Sequence, residues 1–230
     1  ITPSITYNKT FDKVIVNPGA SVYSDVFMFS VVKNIILNED DSGRKIMLYG
    51  GAFADTEIES IYVPKNIQFE TDHYYGWGST FSGCKNLKTA YVASNISRNM
   101  FSNCTSLKEV YFTPDNIATE VDDRAFAECK ALEKVDFSRN KKAYMSIGYF
   151  AFQSCENLKE LILEEGMTCY ASLRDAKKLE TYLFYGAPEV SFSLNDSDYS
   201  PTATVYLSRR FSDYKTEYFD YFVGEVAPIY

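Results

Sequence analysis

Apolar positions in the middle of the chain recur in a fixed arrangement. The segments FSGCKNLKTAYV (81–92), FSNCTSLKEVYF (101–112), FAECKALEKVDF (126–137) and FQSCENLKELIL (152–163) all read F-x-x-C-x-x-L-x-x-ϕ-x-ϕ, where ϕ is apolar. Their phenylalanines stand 20, 25 and 26 residues apart. The period changes inside each unit. Phe, Cys and Leu lie along one side of a short helical or 3₁₀ segment. The last two apolar positions have the period of a strand with one buried face. A further apolar residue sits five before the Phe, at Leu48, Ile96, Val121 and Ile147. Each unit thus predicts a helical turn, a tight bend and a short strand, too small to bury its own apolar side. Stacked units bury it together, as a solenoid with one parallel sheet and short helical or 3₁₀ turns on the opposite face, an α/β architecture.

Weaker copies extend the array both ways. Phe53, Ile58, Ile61 and Val63 fit with one residue deleted, as do Phe27, Val32, Ile35 and Leu37. Leu173, Ala176, Leu179, Tyr182 and Phe184 match all the offsets with Ala in place of Cys. The expected organisation is a capping segment over residues 1–25, about seven repeats over 26–187, and a C-terminal cap over 188–230. In that cap, 204–207 reads as a strand and 211–222 as an amphipathic helix. Residues 13–16 are a candidate strand of the opposite cap.

These units, with the run Ile147, Gly148, Tyr149, Phe150, Ala151, Phe152, resemble the bacterial BspA-type leucine-rich repeat, whose consensus is I-G-x-x-A-F-x-x-C-x-x-L-x-x-I-x-L-P. The resemblance covers about residues 26–222. The proline after the strand is echoed only by Pro64 and, one position late, by Pro114. The resemblance implies a right-handed leucine-rich-repeat superhelix, displayed at a bacterial cell surface or secreted. It also implies adhesion and protein binding rather than catalysis.

Composition narrows the function classes. Lys and Arg total 23 against 31 Asp and Glu, a net charge of −8, so the average surface repels phosphate backbones and nucleic acid is not an expected partner. No apolar run approaches the roughly 18 residues of a membrane-spanning helix, the densest being residues 26–32. His73 is the only histidine and no C-x-x-C pair occurs, so neither a metal site nor a cofactor is expected. Asp72 beside His73 does not form a catalytic dyad, because adjacent side chains rarely orient each other and no nucleophile motif accompanies them. No catalytic residue is assigned. The acidic turn at residues 38–43 lacks the alternation of a calcium loop and reads as solvated.

Cys84, Cys104, Cys129 and Cys155 share one repeat position and read as a column of free, buried thiols, with Cys169 outside it. The strands give the candidate binding site. The residue between the two inward ϕ positions must point outward, and that column runs Ile36, Tyr62, Tyr91, Tyr111, Asp136, Ile162, Leu183 and Tyr206. A solvated column should be polar, and the neighbouring one is: Asn34, Ser60, Thr89, Glu109, Lys134, Glu160, Thr181. Strand propensity offers a competing account of the aromatics. The longest unit adds residues 72–78, with His73, Tyr74, Tyr75 and the only Trp, Trp77. Aromatics of this kind anchor protein or glycan partners. The expected function is a non-enzymatic surface module holding a host extracellular protein or glycan on Ile36, Tyr62, Tyr91, Tyr111, Ile162 and Leu183 together with the 72–78 segment. A glycoside-acting enzyme with a carboxylate pair, or a passive spacer, are the alternatives.

Overall fold

The computed structural model describes residues 6, 8–27, 30–70, 79–114, 117–137, 145–163, 167–169, 178, 181–184, 204–207 and 225–228. Its main feature follows from period-two alternation. In Ser60–Val63, Thr89–Val92 and Glu109–Phe112 the second and fourth residues are buried and the third is exposed. These strands join Lys134–Asp136, Glu160–Leu163, Thr181–Phe184, Thr204–Leu207 and Glu225–Pro228 in an eight-stranded sheet. Every pairing is parallel, and equivalent repeat positions face each other: Ile61↔Ala90, Ala90↔Val110, Val110↔Val135, Val135↔Leu161. Ahead of it Val14–Val16 pairs in parallel with Ile35–Leu37, so the strand register reaches back into the segment expected to be a cap.

The expectation of one sheet is corrected. The apolar residue five before each Phe belongs to a second set of strands, and Leu48, Ile96, Val121 and Ile147 are all fully buried. Ser21–Val22, Ile46–Tyr49 and Ile67–Glu70 form one three-stranded parallel sheet. Glu120–Val121, Met145–Ile147 and Met167–Cys169 form another, with Ile96 bridged to Val121. Thr10–Phe11 pairs with Val31–Val32. Each coil therefore has extended chain on two sides.

The helical or 3₁₀ face is also corrected. Between the second strand and the next coil's first strand, the described residues make turns, not helix. The cause lies in left-handed positions flanking the Phe of each turn. Two residues after it stand Asp55, Gly83, Asn103, Glu128 and Ser154, with φ of 57, 71, 60, 63 and 58°. Two before it stand Asp25, Gly51, Asn99, Arg124 and Phe150, again with positive φ. A left-handed residue ends a helical turn as soon as it starts. It also redirects the amides. Ala127 and Cys129 donate back to Arg124 and Phe126 three residues earlier, while Phe126 and Glu128 donate across to Ala151 and Gln153 of the next coil. The turns are thus laced to one another as the strands are. The α/β description gives way to parallel strands and turns.

The core lies between these walls. Phe27, Phe53, Phe81, Phe101, Phe126 and Phe152 stack in one column, successive ring centroids 5.2–5.8 Å apart and planes within 12°. Leu87, Leu107, Leu132 and Leu158 fill the corner beside them, all fully buried. Thr204–Leu207 forms the expected strand. Glu225–Pro228 was not foreshadowed, since one β-branched residue and a proline make a weak local signal. The helix expected over 211–222 and the repeat at 173–179 lie outside the described residues.

Candidate functional site

Outward parity and repeat register together build one exposed column. Tyr62 faces Tyr91, and Tyr91 faces Tyr111, on adjacent parallel strands. Ile36, Tyr62, Tyr91 and Tyr111 are 39, 40, 45 and 37% exposed, whereas the flanking Ile61, Ala90, Val92 and Val110 are at most 2%. Ile15, in register with Ile36, adds a residue that sequence reading missed and is 55% exposed. In sequence, residues 14–16 are a continuous apolar run with no polar residue to mark which one faces out. The stripe therefore runs aliphatic, aliphatic, then three tyrosines.

Hydrogen bonds fix the tyrosines. The rings of Tyr91 and Tyr111 stack at 5.3 Å with planes 15° apart. The Tyr111 hydroxyl donates to Glu109 Oε2 at 2.8 Å, and this bond to a carboxylate raises the phenol above its ordinary pKa. The Tyr62 hydroxyl donates to Glu39 Oε2 at 3.2 Å, while Glu39 Oε1 holds Lys65 Nζ at 2.9 Å. Beyond Tyr111 the face turns ionic: Lys134 Nζ lies 3.1 Å from Glu160 and 3.6 Å from Asp136.

Ile162 is a correction. It keeps the outward register, opposite Asp136, yet is only 7% exposed. The exposed column therefore does not extend to this residue. Leu183 is in register with Ile162 and Tyr206, but its side chain lies outside the described residues. So do His73, Tyr74, Tyr75 and Trp77. Tyr149 and Phe150, 54 and 40% exposed, also escaped sequence reading. They sit at a turn rather than on the sheet, with the Arg124 guanidinium 5.5 Å from the Phe150 ring centre.

The thiol column is free and buried. Cys84, Cys104, Cys129 and Cys155 each donate to the carbonyl of the preceding coil's phenylalanine: Phe53, Phe81, Phe101 and Phe126, at 3.0–3.4 Å. Burial pushes the Cys129 thiol up to about 12 and that of Cys155 well above its ordinary value. These sulfurs tie coil to coil; burial keeps Cys104, Cys129 and Cys155 protonated, while the hydrogen bond with Cys104 shifts Cys84 below its ordinary value. Cys169 pairs through its backbone with Ile147. Among the described residues no group of three His, Cys, Asp or Glu side chains converges as a metal site. In the acidic turn, the Ser42 side chain and amide donate to Asp40, which also meets Arg44 at 3.2 Å; the bonds from Ser42 hold Asp40 below its usual range. The loop is closed by its own residues.

Among the described residues no helix is long and apolar enough to cross a membrane. No curated protein matches the sequence. A leucine-rich repeat protein from Bacteroides ovatus superimposes with a TM-score of 0.66 over 96% of this chain at 18% identity. The chain spans 54% of that protein's length. A leucine-rich cell surface protein from Faecalibacterium prausnitzii aligns over 80% of the chain and 62% of its own, at 15% identity and a TM-score of 0.40. The T. pallidum leucine-rich repeat protein aligns over 77% and 76%, at 16% and 0.43. The family model described as the BspA type leucine rich repeat region matches residues 77–197 in six copies. With more than half of its length matched and the laced, parallel coils the motif requires, the chain belongs to the BspA-type leucine-rich repeat family.

Proposed function

We propose that this protein is a surface-displayed binding module that holds an extracellular host protein against Ile15, Ile36, Tyr62, Tyr91 and Tyr111. One observation carries the reading: a column that alternation aims at solvent is apolar through consecutive coils, beside a polar column in the same strands. An apolar stripe with a polar rim has the composition of an interface core. Family membership supports display outside the cell and a binding role. The aromatics of 72–78, from the same coil as Tyr62, belong to this proposal as a second contact.

A protein partner fits better than a glycan. Sugars stack on free ring faces, whereas Tyr91 and Tyr111 cover each other and present edges and hydroxyls. A glycosidase is disfavoured by the placement of the carboxylates. Glu120 and Asp122 line a cleft, and burial, with Asp122 and Asp123 nearby, raises the Glu120 carboxyl. Both residues come from one short stretch on one wall, whereas glycoside hydrolysis needs carboxyls flanking the scissile bond.

The test is binding of the purified chain to an array of extracellular matrix proteins and glycans, repeated with a Tyr62→Ala/Tyr91→Ala/Tyr111→Ala variant of unchanged circular dichroism. Loss of a protein hit in the variant is the expected outcome. Undiminished binding would return the stripe to strand propensity, and hits confined to glycans would change the partner class.

A further inference from the structure

Among the described residues the lacing of the second strands is interrupted after Ile67–Glu70. The coil containing Ile67–Glu70 is tied to the next on both sides of the gap, by Ala93 N donating to Val63 O at 2.8 Å and Phe81 N donating to Met100 O at 3.0 Å. Between these ties, Ile67–Glu70 is the outer strand of its three-stranded sheet. The following coil pairs only forward there, Ile96 donating to Glu120 and accepting from Asp122. A cleft of about 410 Å³ opens between the two.

The chemistry of its walls follows from strand parity. Ile46 N donates to Asn66 O, and Ile46 is in parallel register with Ile67. In a parallel ladder this turns the amides of Gln68 and Glu70 toward Ile46–Tyr49, and the N–H and C=O groups of Ile67 and Phe69 away from it. Those groups meet no backbone partner among the described residues. Their side chains, with Ile96, make the cleft's apolar floor, and Phe69 is only partly buried although it points inward. Glu120 and Asp122 line the cleft on the side of the following coil, and Lys45 and Lys65 also line it.

We propose that this cleft binds an extended peptide segment, added along the open edge of Ile67–Glu70. Apolar side chains on one face of the segment lie over Phe69, and a basic side chain on the other meets Glu120 and Asp122. An unpaired strand edge is a template for main-chain pairing, and the adjoining pockets select side chains. This site is separate from the tyrosine stripe, and either can fail without the other.

The experiment is amide hydrogen exchange on the full chain with an acetylated, amidated hexapeptide alternating valine with threonine and arginine. Added peptide should slow exchange at Ile67 and Phe69 at least tenfold, leaving the amides of Gln68 and Glu70 unchanged. The same peptide N-methylated at alternate nitrogens should not protect them. Phe69→Pro removes an outward N–H without touching the ladder to Ile46–Tyr49, and should abolish the protection of Ile67. Glu120→Gln/Asp122→Asn should weaken it at least threefold. The proposal is overturned if the hexapeptide gives no protection at millimolar concentration or if the N-methylated peptide protects equally. It is also overturned if Ile67 and Phe69 are already protected in the free chain, which would mean that another part of the protein or a second copy occupies the edge.

Discussion

Two aromatic columns climb this molecule one ring per coil, and their ring spacings are nearly the same. The phenylalanines from Phe27 to Phe152 stand 5.2–5.8 Å apart, and Tyr91 and Tyr111 stand 5.3 Å apart. Stacking is therefore a consequence of the coil-to-coil rise, not a sign of function. What separates the columns is water. The phenylalanines are enclosed, while the tyrosines are close to half exposed at positions where Thr or Lys would also make a strand. The first column answers a demand of folding. The second answers none that the coil imposes, which makes it the informative one.

The largest expected effect separates the columns directly. Phe101→Ala should lower stability by about 3–5 kcal/mol, the range for an enclosed aromatic, and denaturant unfolding measures it. A loss below about 1 kcal/mol would mean that the inner column is dispensable. Next comes the thiol that ties Phe101 to its neighbouring coil. Cys129 is raised to about 12 in the folded chain, whereas an exposed thiol titrates near 8.5. Folding therefore holds the proton. Stability from this group is full below about pH 8.5 and declines as pH climbs toward 12. Unfolding midpoints at pH 8 and pH 11 should differ more in the parent than in Cys129→Ala.

A third expectation concerns the turns. Gly83 has φ of +71°, and a Cβ there would collide with the Asp55 carboxylate of the preceding coil. Gly83→Ala should cost about 1–3 kcal/mol, read as a lowered melting temperature, and pairing it with Asp55→Ala should recover part of the loss. The smallest effect belongs to the outer column. Tyr91→Ala should change stability by only about 0.2–1 kcal/mol, while weakening binding of the partner by about 1–3 kcal/mol. A variant that loses stability and keeps affinity would place Tyr91 with the phenylalanines.

Most of the main sheet could be read from the chain, because its signals are local and repeated. Period two over residues 60–63, 89–92 and 109–112 located both the strands and their exposed column. Two features resisted. The second set of strands is announced by single apolar residues such as Val121 and Ile147; only Ile46–Tyr49 and Ile67–Glu70 reach four residues, and the shorter ones leave no alternation to read. The turns read as helical in sequence because Phe, Cys and Leu at offsets of three satisfy that period. The contrary signal was the set Asp55, Gly83, Asn103 together with Asp25, Gly51, Asn99. These are the residue types that tolerate positive φ, and they recur two positions either side of the Phe. Ile162 shows the limit of parity: alternation says which way a side chain points, but not what lies above it.

The glycines beneath those carboxylates have a consequence for how such an array can change by recombination. Gly51 lies under Asp25 and Gly83 under Asp55, and in each case a methyl group would run into the acid of the preceding coil. The unit containing Asp55 therefore requires a glycine at this position in the unit that follows it. Deleting the repeat that carries Gly83 by unequal crossing-over would set Asn103 against Asp55, with a side chain where only hydrogen fits. Units that look interchangeable in their motif are ordered by these small neighbour fits, so gain or loss of repeats should be tolerated unequally along the chain, least where an aspartate overhangs a glycine.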